Sequence, residues 1–119
     1  MLDLLRADGH VAVWWGSLVE CHSALNRRSR EGGLSTEQLQ HARARLQGLL
    51  ARTAEVVPTE AVRILANRLT AIYPLRAADS FQLSAALVWS EQEPTGREVV
   101  ILDQRLRQAA QQEGFTILP

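Results

Sequence analysis

Leu75-Arg76-Ala77-Ala78-Asp79-Ser80-Phe81-Gln82-Leu83-Ser84-Ala85-Ala86-Leu87 reads as a helix with an acid on its apolar side. At about 100° per residue, Asp79 falls on the stripe of Leu83, Ala86 and Leu87. A carboxylate on a core-facing stripe needs a partner or a cation. About two dozen residues later an apolar strand, Val99-Val100-Ile101-Leu102, ends in Asp103. In a parallel sheet, ligand sites form beyond the carboxyl ends of strands, and Asp103 stands at such an end. Two acids in such places point to a divalent-cation site, and with it a reaction.

Outward from this pair, strands and helices alternate. Leu2–Leu5 reads as a helix tail or a frayed end, Ala7-Asp8-Gly9-His10 as a turn, and Val11–Trp15 as a short strand stopped by Gly16. Ser17-Leu18-Val19-Glu20 matches a capping box and opens a helix to about Arg30, which Glu31-Gly32-Gly33 breaks. Ser35-Thr36-Glu37-Gln38 is a second capping box, before a helix with Leu39, Ala42, Leu46, Leu49 and Leu50 at amphipathic spacing. Glu55-Val56-Val57 is a brief strand ended by Pro58. Thr59 then caps a helix with Val62, Leu65, Leu69 and Ile72 on one face, and Tyr73-Pro74 closes it. A fourth helix runs from about Ala77 to Ser90, and Glu91–Arg97 is a loop. Glu98–Leu102 is a buried strand, Gln104–Gln112 a helix and Phe115–Leu118 a last strand. Short apolar strands without hairpin links predict an α/β fold with a parallel sheet covered by helices. With no repeat, low-complexity tract or linker, residues 1–119 form one domain.

Composition narrows the function. Hydrophobic residues make up 46% of the chain, which argues against disorder. The formal net charge is zero, so no broad basic surface advertises nucleic acid, although a local patch is compatible with it. All thirteen basic residues are arginine, a side chain that grips phosphate bidentately. The single Cys21 excludes an intramolecular disulfide and a cysteine-rich zinc site, and reads as a small core residue. His10, His22 and His41 lack metal-ligand spacing. No glycine-rich phosphate loop and no GxSxG motif are present. No hydrophobic run reads as a membrane span and Met1–His10 does not read as a signal peptide, so the expectation is a cytoplasmic protein.

The acids carry alternative roles. Asp103 fits an N-cap as well as a ligand, and one side chain can do both. Glu20 fits first the closing position of a capping box, yet it also follows a strand near the same end of the sheet. Asp79, early in a helix, gains from the macrodipole, but only its inward face argues for metal. Mg²⁺ or Mn²⁺ suits such oxygen donors, and phosphodiester hydrolysis is the chemistry implied. Trp14-Trp15 offers a ring for base stacking. In a strand, though, neighbours point to opposite faces, so one of the two belongs to the core. Arg27, Arg28 and Arg30 read as a solvated helix end.

Three segments together resemble the PIN-domain family, especially toxin ribonucleases of the VapC type. Ser17-Leu18-Val19-Glu20-Cys21-His22-Ser23-Ala24-Leu25 is similar to its second acidic motif. Leu75-Arg76-Ala77-Ala78-Asp79-Ser80-Phe81-Gln82-Leu83 is similar to its third, and Val99-Val100-Ile101-Leu102-Asp103-Gln104-Arg105-Leu106 to its fourth. The resemblance implies a three-layer α/β/α sandwich and an Mg²⁺- or Mn²⁺-dependent endoribonuclease. Its metal-site and catalytic acids would be Glu20, Asp79 and Asp103. It further implies an RNA substrate, a homodimer and a cognate antitoxin protein. The family also opens with a strand ending in aspartate, and here Met1 comes too late for that unit. Asp3 is a poor substitute, seventeen positions before Glu20 where the family has roughly twice that. Ile101 stands where the family often has Ser or Thr. The expectation is therefore an N-terminally truncated PIN-like domain. The alternative is a catalytically impaired relative that only binds an antitoxin or another protomer.

Overall fold

The described residues form ten elements in the order β1 (Leu4–Ala7), β2 (His10–Trp14), α1 (Ser17–Arg30), α2 (Thr36–Leu50), β3 (Ala54–Val56), α3 (Glu60–Ile72), α4 (Ala77–Trp89), β4 (Glu98–Val100), α5 (Gln104–Glu113) and β5 (Thr116–Ile117). The structure is a computed structural model. It describes residues 4–7, 10–101 and 103–118, with side chains from Val11 onward. Asp3, the turn residues Asp8 and Gly9, and Leu102 at the end of the expected strand lie outside the described residues.

One five-stranded sheet has the order β3-β2-β1-β4-β5. The outer pairs, β2 with β3 and β4 with β5, are parallel as the sequence suggests. The centre is not. β1 runs antiparallel to both neighbours, with Leu5 opposite Ala12 on one side and Val99 on the other. Of the stretch Leu2–Leu5, expected as a helix tail or a frayed end, Leu4 and Leu5 belong instead to the strand Leu4–Ala7, and Leu2 and Asp3 lie outside the described residues. A four-residue segment is too short for a periodicity that would decide its conformation. Here it supplies hydrogen-bonding partners to the inner edges of β2 and β4, which are otherwise open.

This topology fixes where chemistry can sit. Because β1 opposes both β2 and β4, the other four strands all point one way. Trp14, Val56 and Val100 therefore end at the same edge of the sheet. α4 backs this sheet and is buried over Ser80 and the whole run from Gln82 to Leu87. Small residues, Ser84, Ala85 and Ala86, let its neighbours approach, and Ser84 Oγ donates to the Val62 carbonyl of α3. The core joins Ala12 and Trp14 of β2, Val62, Leu65 and Leu69 of α3, Leu83 and Leu87 of α4, Val99, and Leu106 and Ala110 of α5. Trp14 stacks on Phe81 with ring centroids 5.5 Å apart.

Caps set the helix starts. Ser35 and Gln38 form the expected capping box of α2, and Thr59 Oγ1 accepts from Val62 N at α3. α5 ends at Gly114, whose φ of 114° suits glycine. α2 differs from the other helices in burying no residue, and it packs mainly on α1.

Candidate active site

Asp79 lies in the first turn of α4, its side chain 17% exposed. The Arg76 Nε, just before the helix, donates to Asp79 Oδ2 at 3.5 Å. Asp103 follows β4 and caps α5, its Oδ1 accepting from Leu106 N at 3.0 Å. The two acids come from elements 24 residues apart and line one cleft of about 320 Å³, together with Arg76, Gln104 and Arg105. Each carboxylate keeps one oxygen without a protein partner among the described residues.

Glu20 sits differently. It is half-buried on α1, and its Oε2 accepts from Gln82 Nε2 at 3.0 Å. Gln82 Oε1 in turn accepts from Ser17 Oγ at 3.4 Å. Glu20 is thereby tied to α4 one turn beyond Asp79, but it does not line the cleft of Asp79 and Asp103. Among the described residues no group of three or more His, Cys, Asp or Glu is placed to hold a metal ion.

The expected capping box at Ser17–Glu20 is also absent. The N-cap is Gly16, without a side-chain cap, and Ser17 is the first helical residue, fully buried. A Cβ on residue 16 would fall 2.6 Å from Trp14 Nε1, so the indole edge requires glycine there. Ser17 then faces inward and meets Gln82 rather than the backbone of its own first turn.

Other sequence readings resolve residue by residue. Trp14 is core, while Trp15 is 52% exposed. Cys21 is buried. His22 lies in a groove between α1 and α2, and His41 sits 3.9 Å from Glu37 on the exposed face of α2. The reading of single acids passed over Gln82, Arg76 and Arg105. Gln82 had a signal: three residues after Asp79, it is an amide on a helix otherwise buried among apolar and small side chains.

The donor set suits a hard cation. Mg²⁺ commonly uses one or two carboxylates and fills its remaining positions with water. Two carboxylates with two guanidiniums beside them match a cation and the phosphate it accompanies.

Comparison with family models, curated proteins and solved structures finds no match to the chain. No helix among the described residues is long and apolar enough to cross a membrane.

Proposed function

We propose that the chain is a PIN-like, metal-dependent endoribonuclease, the toxin of a toxin–antitoxin pair. One observation carries the reading: Asp79 at the start of α4 and Asp103 after β4 face one cleft at the carboxyl edge of the sheet, with Arg76 and Arg105 on its rim. On this reading the helices cover both faces of the sheet as a three-layer α/β/α sandwich. The partners would be an RNA substrate, a second copy of the chain and a cognate antitoxin.

Asp79 and Asp103 are the residues that would hold Mg²⁺ or Mn²⁺. When bound, such a cation orients the phosphate, acidifies a water and offsets charge on the leaving oxygen. Arg105, and the nitrogens of Arg76 other than the Nε that bonds Asp79, would offer charge-assisted hydrogen bonds to non-bridging phosphate oxygens. Asp103 is positioned for this by its own cap, which fixes one carboxylate oxygen and leaves the other free. Glu20 serves from outside the cleft, as a carboxylate held against α4 by Gln82.

A second reading is a non-catalytic PIN-like binding module. It draws on the cleft's having no third acid among the described residues. The resemblance calls for a central strand that carries an aspartate to this edge, whereas β1 runs antiparallel to β2 and β4 and has its carboxyl end at the opposite edge. Cleavage of a structured RNA, with Mg²⁺ or with EDTA, separates the two. The nuclease reading predicts Mg²⁺-dependent cleavage that Asp103→Asn abolishes. Equal cleavage by the variant would mark a contaminant, and a cation-independent blank result would favour the binding module.

A further inference from the structure

The α1–α2 hairpin lies apart from the acid cleft and carries an excess of positive charge. Its helices run antiparallel: Leu18 and His22 share a groove with Gln47, Leu50 and Ala51, and Arg43 Nη2 donates to Asn26 Oδ1 at 2.6 Å. That register orders six arginines along the hairpin. Arg52 is at the root, Arg43 and Arg45 lie midway, and Arg27, Arg28 and Arg30 are at the tip. All six are exposed, and none has an ion-pair partner among the described residues. Between Ser17 and Arg52 they face only three acids, Glu20, Glu31 and Glu37, an excess of three positive charges in a chain with no net charge. The root also carries the exposed Trp15 indole, whose backbone N–H donates to Val56. From the same root Glu20 reaches Gln82 on α4, one turn from Asp79.

Exposed guanidiniums without ion-pair partners among the described residues, spread from tip to root over about 15 Å from Arg30 to Glu20 at the helical rise, suit a chain of phosphates. An exposed indole at their end suits an unstacked base. We propose that the α1–α2 hairpin is a docking arm for single-stranded RNA and that it leads the strand toward the cleft of Asp79 and Asp103. The delivery rests on the nuclease reading, whereas the binding does not. An acidic protein surface would match the charge but leave Trp15 without a role.

The test is fluorescence anisotropy of a labelled single-stranded RNA with the full chain carrying Asp103→Asn, which cannot consume the probe. Six phosphate contacts give a slope of log affinity on log salt of about −4, and replacing Arg27, Arg28 and Arg30 by Gln reduces its magnitude by about 2. The same replacement weakens binding at least about tenfold at 0.1 M salt, while Lys at the three positions keeps it. Trp15→Ala weakens binding about fivefold or more and leaves the slope unchanged. Urea midpoints confirm that each variant is folded. Absence of RNA binding at low salt, or equal binding by the Gln variant, overturns the proposal. So does a salt-sensitive self-association that the Gln variant abolishes while RNA stays unbound, since the arm then serves the acidic body of a second copy. Binding without any cleavage by the wild type would sink the nuclease reading and leave the arm standing. Cleavage with an unchanged KM in the Gln variant would do the reverse.

Discussion

At Asp103 one carboxylate oxygen caps α5 and the other is left for the cleft, so cap and ligand are separable by substitution. Asn keeps a side-chain oxygen for Leu106 N and loses the charge. Asp103→Asn should therefore melt in urea within about 0.5 kcal/mol of wild type while losing cleavage. Asp103→Ala should lose both, with a stability cost of about 1 kcal/mol. If Asn costs as much stability as Ala, the cap geometry is wrong. Gln82 offers a second test, because its amide bonds Ser17 on one side and Glu20 on the other. Gln82→Leu should cost about 1–3 kcal/mol, the range for leaving a buried hydrogen-bond partner unsatisfied. A Gln82→Leu chain as stable as wild type would mean that the relay contributes nothing.

Element by element, the sequence was most legible where a cap or a long periodic run decides the structure. Ser35 and Thr59 open α2 and α3 where the reading placed them, and the inward stripe of α4 is buried. It failed where tertiary contacts outvote local pattern. Ser17-x-x-Glu20 has the letters of a capping box, but a buried glutamine claims both side chains. Leu4–Ala7 has too few residues to declare a period and becomes a strand only because two strand edges need it. Contacts between elements distant in sequence escaped for the same reason. At the end of α3, Tyr73 Oη donates to Glu113 Oε2 of α5, and Arg68 Nη2 bonds Glu113 Oε1 at 2.8 Å. Burial of the phenol, reinforced by its bond to the Glu113 carboxylate, pushes the Tyr73 pKa up to about 12 from 10.0. The unfolded chain thus ionises first as pH rises. The stabilisation is complete below pH 10 and is lost on the way to pH 12. Urea melts at pH 9 and 11 should show a drop in wild type that is smaller in Tyr73→Phe, and an identical drop in both would exclude this clamp.

Over the whole molecule, the direction of the strands brings distant acids to one edge. The helix α4 that carries Asp79, and the strand β4 that precedes Asp103, were readable from the pattern of apolar residues. What the sequence could not convey was the separation of Glu20 from the cleft, because Gln82 decides it from 62 residues away. Nor could it convey the antiparallel centre of the sheet. The central claim is that Asp79 and Asp103 form one cation site, and thermal melting with Mn²⁺ tests it directly. A cation that binds only the folded chain, at ten times its Kd, adds about 1.4 kcal/mol, which is about 5 °C for a domain of this size. The account predicts a rise of that order in wild type and none in Asp79→Asn. An equal rise in both chains, or no rise in wild type at saturating Mn²⁺, would contradict it.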